Sequence, residues 1–276
     1  SGYNAGMRGR KGSPYEGGHR VPCFIRWPAA NLAVGKDVNQ LTAHLDLLPT
    51  LVDLCQLRKP TGSRFDGISL SGLLTGRVKE SPGRTLFAHH QELPLPEKYR
   101  FGCVIHDQWR LITRNDLKTG QQFELYDIIK DPGQKNDLQT RHPEVVTQLK
   151  LAYDKWWQTL TPEFDKFSEI SLGDDHQNPT RLTCFEWQGS RHWWQGNVRS
   201  AQLENGYWAV NVVQAGNYQI TLRRWPAELN ASITAAVDGG KAIKAVKAKL
   251  RIGTIEATQP IATGVRAVTF QVRLEE

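Results

Sequence analysis

The first half of the chain alternates short apolar segments with polar turns. The unbroken apolar run Val21–Trp27, ended by Pro28, predicts a buried strand, because proline cannot continue a strand ladder. Leu47–Leu54 follows Asp46, a favourable N-cap residue, and is predicted to be a helix. Ser69–Leu74 predicts a further short helical segment.

Further along, three segments predict strands and one predicts a long helix. The strand segments are Arg84–Glu92, Cys103–Thr113 and Gln122–Ile128. Pro143 opens an amphipathic segment that reaches about Leu160, with apolar residues at helical spacing. A small antiparallel sheet with one packed helix, an α+β layer, is therefore expected.

The pattern changes after residue 162. Residues 163–178 are polar and rich in Pro and Asp, which is typical of a linker. Beyond them, apolar residues recur with a period of two, and Gly-containing turns separate the runs. We expect an α+β region over residues 1–162 and an all-β sandwich over 179–276. The segments predicted to be strands there are Tyr207–Val213, Asn217–Trp225, Ala242–Leu250 and Arg266–Leu274.

Composition places the chain among ordinary globular proteins. Of its 276 residues, 39% are hydrophobic and 23% are charged. No apolar run reaches the roughly 18 residues that a transmembrane helix needs, so no transmembrane segment is expected. The first residues lack the charged and apolar regions of a signal peptide.

The net charge of +7 is concentrated in the first part of the chain. Residues 1–160 hold 22 Lys and Arg against 16 Asp and Glu. This excess suits an anionic small molecule, although scattered surface charges without a role would look the same. No basic run is interleaved with aromatic residues, so nucleic acid is not an expected partner.

The four cysteines lie far apart and lack the spacing of a zinc site. They are Cys23, Cys55, Cys103 and Cys184. Most stand in apolar surroundings and are expected to be small buried side chains. One disulfide remains an alternative if the protein is exported.

The most informative motif is Lys-Gly-Ser-Pro-Tyr-Glu-Gly-Gly-His-Arg-Val-Pro over residues 11–22. Its glycines predict a loop and a tight turn at Gly17-Gly18 that present Lys11 at the end of a strand. The motif closely resembles the K-G-x-x-[YW]-E-G-G-x-R-x-P signature of the type I sulfatases, in the alkaline-phosphatase-like superfamily. The resemblance implies that Lys11 binds the sulfate group of the substrate and acts in catalysis.

Four further segments resemble the same family and occur in family order. They are residues 42–53, residues 65–76, Trp109-Arg-Leu-Ile, and Glu124-Leu-Tyr-Asp-Ile-Ile-Lys-Asp-Pro with the Asn136 and Leu138 that follow. The family implies that the first region is the C-terminal part of an α/β catalytic domain, ending in a small antiparallel sheet with a helix against it. The segment from about residue 179 resembles the β-rich tail of some bacterial sulfatases.

The resemblance also implies a mechanism that this chain can carry only in part. Type I sulfatases hydrolyse aryl or carbohydrate sulfate esters with a formylglycine nucleophile and a divalent cation, usually calcium. No cysteine here begins the C/S-x-P/A-x-R motif that yields formylglycine, so the nucleophile and metal ligands are expected upstream and no metal ligand is assigned. The family further implies a periplasmic or secreted protein, whose partners are the N-terminal part of the polypeptide and a sulfated small molecule or glycan.

The other residues of the motif are expected to shape the loop. Tyr15, Glu16 and Arg20 can hold it through a buried ion pair or through capped amides, around the turn at Gly17 and Gly18. These residues are therefore interpreted as structural.

Three histidines are candidates for substrate contact: His19, His44 and His89. A structural role is the alternative for each, and for His44 this is a ring that donates to a nearby carbonyl. His89, His90, Gln91 and Glu92 cannot form a metal site alone, because alternate residues of a strand face opposite sides.

Two features in the second half have opposing interpretations. Asp174-Asp175-His176 is interpreted as a solvated turn rather than a calcium site. The tryptophans concentrated there suit a sandwich core, or a face that stacks on sugar rings. The second possibility supports a rival function, a non-catalytic carbohydrate-binding or scaffold protein with a sulfatase-like remnant. The tryptophans are Trp187, Trp193, Trp194, Trp208 and Trp225.

Overall fold

The computed structural model describes residues 3–30, 32, 35–59, 61–91, 93, 95–116, 120–189 and 194–276. The chain divides into two units, Ser1–Phe164 and Asp165–Glu276. Glu92 and Trp193, which the sequence analysis considered, lie outside the described residues. No described helix combines the length and apolarity needed to cross a membrane.

The described residues of the first unit form four helices and four strands, together with short 3-10 turns. The helices are α1 (Glu16–His19), α2 (Leu47–Leu54), α3 (Ser71–Leu74) and α4 (Pro143–Leu160). The strands are β1 (Thr85–His89), β2 (Gly102–His106), β3 (Trp109–Asp116) and β4 (Gly120–Asp127). The expected α+β layer is thus present, with a mixture of helix and strand.

The strands form one antiparallel sheet in the order β1-β2-β3-β4. Successive side chains of a strand point to opposite faces, so the sheet buries two separate apolar surfaces. One surface packs against Leu149, Tyr153 and Trp157, which lie on one stripe of α4. The opposite surface packs against Tyr15, from the segment that follows Lys11.

The apolar segment Cys103–Thr113 forms two strands rather than one. β2 and β3 are joined by a tight hairpin at Asp107, whose φ of 45° is in the left-handed region. Cys103, Val104, Leu111 and Ile112 are all buried because the sheet is covered on both faces. Because residues of both strands are buried on two faces, the apolar pattern does not show where the turn lies.

The prediction of a buried strand over Val21–Trp27 is wrong. This segment has no strand, and its apolar side chains lie on the surface. The exposed fraction is 77% for Val21, 93% for Phe24 and 44% for Ile25. No described strand pairs with it, so its backbone lacks the ladder that a strand requires.

Helix α2 begins at Leu47 as predicted, but Asp46 does not cap it. The Asp46 carboxylate is fully buried and accepts hydrogen bonds from the amides of Ala43 (2.8 Å) and Ile68 (3.0 Å). Arg84 donates to both of its oxygens, at 2.8 and 2.5 Å. Burial alone would raise the pKa of Asp46, but the hydrogen bonds from Arg84 and the two amides hold it below its ordinary value.

In the second unit, the part of the chain that the structure describes forms six strands and one helix. The strands are β5 (Ile170–Leu172), β6 (Val210–Val212), β7 (Gly216–Leu222), β8 (Lys247–Ile252), β9 (Ile255–Pro260) and β10 (Val268–Leu274). The helix is α5 (Gln195–Ser200). β7 pairs with β10 and β8 with β9, both antiparallel, whereas β5 pairs with β6 in parallel.

The expected all-β sandwich over 179–276 is not confirmed. The described strands pair two by two around a core that includes Ile233 and Phe270, and α5 interrupts the β-rich segment. β5 lies within residues 163–178, the segment expected to be a linker, and its pairing with β6 was not predicted. A strand of three residues gives too short a pattern to detect.

The cysteines and tryptophans only partly follow expectation. All four cysteines are free thiols, but Cys23 and Cys55 are exposed whereas Cys103 is buried. Trp225 is buried in the second unit, and Trp194 is 64% exposed. The tryptophans therefore include both a core residue and a surface residue.

The Asp46–Arg84 pair makes a direct prediction about stability. Arg84→Met leaves a buried carboxylate without its cation, and the unfolding free energy of the first unit should fall by about 3–5 kcal/mol. Denaturant unfolding of the purified chain measures the effect. The matched control is Arg273→Met, which removes an exposed ion pair with Glu275 and should change stability by less than about 1 kcal/mol. Equal effects of the two substitutions would contradict this assignment.

Candidate functional site

Lys11 lies on an exposed turn formed by residues 10–13. The amide of Ser13 donates to the carbonyl of Arg10 at 2.9 Å, and the Ser13 hydroxyl accepts from the Arg10 amide at 3.1 Å. Gly12 has a φ of +85°, a conformation that other residues rarely adopt. The Lys11 ammonium forms no ion pair with any residue that the structure describes. The turn therefore presents a cation that is available to an anionic ligand.

Gly17 and Gly18 belong to the one-turn helix α1 rather than to the predicted tight turn. The amide of Gly17 donates to the carbonyl of Arg8 at 2.8 Å. A β-carbon at Gly17 would lie 2.6 Å from the Gly9 carbonyl oxygen, and one at Gly18 would lie 2.0 Å from that of Ser13. Glycine is required here because α1 packs directly on the backbone of the Lys11 turn.

A buried ion pair ties α1 to the sheet. Glu16 is 2% exposed and Arg110, in β3, is 6% exposed. The Glu16 carboxylate accepts a 2.6 Å hydrogen bond from Nε of Arg110. Arg20 is 3.5 Å from the other Glu16 oxygen, but 62% of its side chain is exposed. The buried partner of Glu16 is therefore Arg110, which was not predicted, and not the Arg20 of the motif.

Tyr15 anchors the same segment through a polar network on β4. Its hydroxyl donates to Glu124 at 2.8 Å, and Tyr126 donates to the same carboxylate at 2.6 Å. The Arg8 guanidinium lies 3.9 Å from the centre of the Tyr15 ring and donates to the Tyr126 hydroxyl at 2.7 Å. Burial, together with Glu124, raises the pKa of Tyr15 to about 12, so the hydroxyl stays protonated.

Gln134 provides a third anchor, from the turn after β4. Its side-chain oxygen accepts from the Glu16 amide at 2.8 Å, and its backbone carbonyl accepts from Arg8 at 3.0 Å. Gln134 is completely buried. The Lys11 turn is thus fixed from the helix, the sheet and a neighbouring loop.

His19 faces the interior rather than the open side of the turn. Burial lowers its pKa, the nearby Arg110 lowers it further, and Glu16 and a hydrogen bond to Pro14 oppose these effects. Its Nε2 is buried and has no hydrogen-bond partner among the described residues. This placement fits the structural alternative for His19.

The other two candidate histidines do not lie at the Lys11 turn. His44 is exposed in a 3-10 turn beside Asp46, and its ring makes no hydrogen bond with a described residue. The His89 ring lies 5.3 Å from Trp156 and 6.5 Å from Trp157, between centroids, on the α4 side of the sheet. Burial and the adjacent His90 lower the pKa of His89.

No group of three or more His, Cys, Asp or Glu among the described residues could hold a metal ion. Asp174 instead accepts hydrogen bonds from the amide and ring of His176, at 2.8 and 2.9 Å. This segment is a polar turn on the surface.

Several residues around the motif were not singled out from the sequence. Arg110, Glu124 and Gln134 converge on Tyr15 and Glu16 from about one hundred residues away. Arg110 and Glu124 belong to the later segments that resemble sulfatases, whereas Gln134 lies between Pro132 and Asn136 and was not named. His90 also was set aside, although it is the histidine whose ring lies beside Gly12.

Comparison with known proteins identifies the family. Residues 10–157 match the family model described as N-sulphoglucosamine sulphohydrolase, C-terminal. Mouse (Mus musculus) steryl-sulfatase is 28% identical over 198 residues, which cover 62% of this chain and 31% of that protein. Human (Homo sapiens) arylsulfatase A is 42% identical over 197 residues, which cover 61% of this chain and 36% of that protein.

A solved structure shows a weaker likeness. A Bacteroides thetaiotaomicron protein, solved in work on the metabolism of multiple glycosaminoglycans, is 24% identical with a TM-score of 0.44. The alignment covers 55% of this chain and 32% of that one.

The matched region contains the Lys11 turn, the glycines of α1, the Glu16–Arg110 pair and the four-stranded sheet with α4. It spans more than half of this chain, and the chain spans about a third of the length of the curated relatives. On this evidence the chain belongs to the sulfatase family.

Proposed function

We propose that this chain is part of an enzyme that hydrolyses sulfate monoesters, with Lys11 as the group that binds the sulfate. The supporting observation is an exposed lysine that forms no ion pair with a described residue and lies on a turn fixed by buried contacts from three sides. An aryl sulfate and a carbohydrate sulfate present the same tetrahedral anion. Both are therefore candidate substrates.

The proposed role of Lys11 follows from its charge and size. A compact ammonium with three donors can bind a sulfate oxygen and the bridging oxygen together. Negative charge grows on the bridging oxygen as the S–O bond breaks, so Lys11 stabilises the transition state more than the ground state. This makes Lys11 a catalytic residue of the proposed enzyme.

We assign the nucleophile and the divalent cation to another part of the complete polypeptide. The described residues contain no group of three or more metal-binding side chains, and the sequence lacks a formylglycine motif. These residues do not fit a calcium site. In the family, formylglycine would supply the nucleophile that attacks sulfur, and calcium would bind the sulfate oxygens.

Exposed apolar side chains support a contact with further polypeptide. Phe24 is 93% exposed, and α2 presents Leu47, Leu48 and Leu51 to solvent, each more than 40% exposed. Large exposed apolar areas are rare on isolated proteins and mark interfaces. We assign these exposed side chains to a contact with the N-terminal part of the complete enzyme.

We further propose a periplasmic or secreted location, on the family resemblance alone.

The rival function remains a carbohydrate-binding protein that lacks catalysis. Exposed aromatic residues of the second unit favour it, since Phe185 is 72% exposed and Trp194 is 64% exposed. Such rings can stack on sugars. Glycan binding by the second unit alone, with no hydrolysis by the complete polypeptide, would favour the rival.

Lys11→Ala tests the proposed catalytic role in the complete polypeptide. The substitution should lower kcat/KM for 4-nitrophenyl sulfate by roughly 10²–10³, similar to the loss of one oxyanion donor. Lys11→Arg should not restore the rate fully, because a planar guanidinium does not fit a site built for an ammonium. Near-normal kcat/KM in Lys11→Ala would contradict the role.

Matched variants separate the catalytic role of Lys11 from support of its turn. Glu16→Gln and Tyr15→Phe weaken buried anchors. They should therefore lower the melting temperature, while kcat of the folded fraction stays close to that of the unaltered enzyme. Steady-state kinetics and thermal unfolding on the same preparations distinguish the two effects. A loss of kcat in Glu16→Gln as large as in Lys11→Ala would place Glu16 in the chemistry instead.

The chain of residues 1–276 alone should show no sulfatase activity. A lysine cannot replace both a nucleophile and a metal ion. The assay measures release of 4-nitrophenol from its sulfate ester by the purified chain, with calcium supplied. Turnover that survives repurification and is lost in Lys11→Ala would overturn this prediction.

A further inference from the structure

His90 lies against the turn that carries Lys11. A β-carbon built on Gly12 would be 3.6 Å from Cε1 of His90, 3.8 Å from Nδ1 and 3.9 Å from Nε2. The whole imidazole edge therefore borders the residue next to Lys11. His90 is also exposed, so its ring forms part of the surface beside the candidate sulfate site.

The loop between β1 and β2 holds His90 in this place. The His90 amide donates to the carbonyl of Phe101 at 3.1 Å, which closes the base of the loop. The side chain of Gln91 pairs with the backbone of Glu97 through two hydrogen bonds of 2.8 and 2.5 Å. Phe101 is 37% exposed, so the base of this loop presents an imidazole and an aromatic ring.

The turn beside His90 carries two positive charges. Arg10 and Lys11 are both exposed on the adjacent turn, and neither forms an ion pair with a residue in the described part of the chain. A ligand that carries a single sulfate can use Lys11 alone. A ligand with a second anionic group can also contact Arg10 and the His90 imidazole on the same surface.

We propose that His90 is a specificity-determining residue that contacts the alcohol part of the sulfate ester and favours a glycan with a second anionic group. This inference rests on the proposed sulfate-binding role of Lys11. When Lys11 binds a sulfate oxygen, the attached sugar lies against the adjacent surface, which includes His90. A ring N–H that donates to a carboxylate or second sulfate forms a charge-assisted hydrogen bond, which is stronger than a neutral one.

Calorimetric binding to the complete polypeptide tests the inference without requiring turnover. The two probes are inorganic sulfate, which reports on Lys11, and a chondroitin sulfate tetrasaccharide, which also carries uronates. His90→Ala should weaken tetrasaccharide binding by about tenfold, the cost of one charge-assisted hydrogen bond, and should change sulfate binding less than about twofold. His90→Gln keeps a neutral donor and should lose less. His176→Ala, which removes an exposed imidazole from the polar turn at Asp174, is the matched control and should change neither affinity.

Each result decides the inference. Equal weakening of both probes by His90→Ala would make the ring a support for the Lys11 turn and overturn the specificity role. An unchanged tetrasaccharide affinity, or no tetrasaccharide binding by the unaltered polypeptide, would overturn it as well. If Lys11→Ala leaves sulfate binding intact while His90→Ala still weakens the tetrasaccharide, the proposed function fails and the glycan contact stands.

Discussion

The Glu16–Arg110 ion pair links the loop that carries Lys11 to the sheet that forms the body of the first unit. Both side chains are buried, and the 2.6 Å hydrogen bond joins residues 94 positions apart. Removal of either partner would leave a buried charge without compensation, which is more costly than the loss of a surface pair. The position of Lys11 depends on this pair because α1, which carries Glu16, packs directly on the backbone of the Lys11 turn.

The two-sided sheet explains how a small unit can hold such a loop. One face is filled by α4, and this leaves the opposite face, which carries the polar anchors Arg110 and Glu124, free to receive Tyr15 and Glu16. The apolar contacts with α4 supply stability, whereas the polar contacts on the other face determine geometry. The same division gives the loop between β1 and β2 a fixed place, with His89 toward α4 and His90 toward Gly12.

Local features of the fold were predictable from the sequence, and long-range ones were not. Helices α2 and α4 and strands β1, β4, β7 and β10 follow from periodicity and from Pro or Gly at their ends. The hairpin at Asp107 was missed because both strands are buried on two faces. The strand predicted at Val21–Trp27 is absent because apolar character alone does not provide a pairing partner.

The candidate site shows the same limit. The motif predicts that Lys11 binds sulfate and that Glu16 supports the loop, but it does not indicate Arg110, since pairing across a fold leaves no local pattern. His89, and not His90, was named as a candidate for substrate contact. Sequence alone does not show which of the two faces the turn, because that depends on the register of β1. His19 was a candidate because of its place in the motif, yet its ring turns inward.

The proposed function gives the anchored turn one task, the binding of a sulfate group by Lys11. A crystal structure of the complete polypeptide with a bound sulfate or sulfate ester tests this role. We expect Nζ of Lys11 at about 2.7–3.0 Å from a sulfate oxygen, with the Glu16–Arg110 pair unchanged. A sulfate bound in the catalytic centre with Lys11 turned away and out of hydrogen-bonding reach would contradict it.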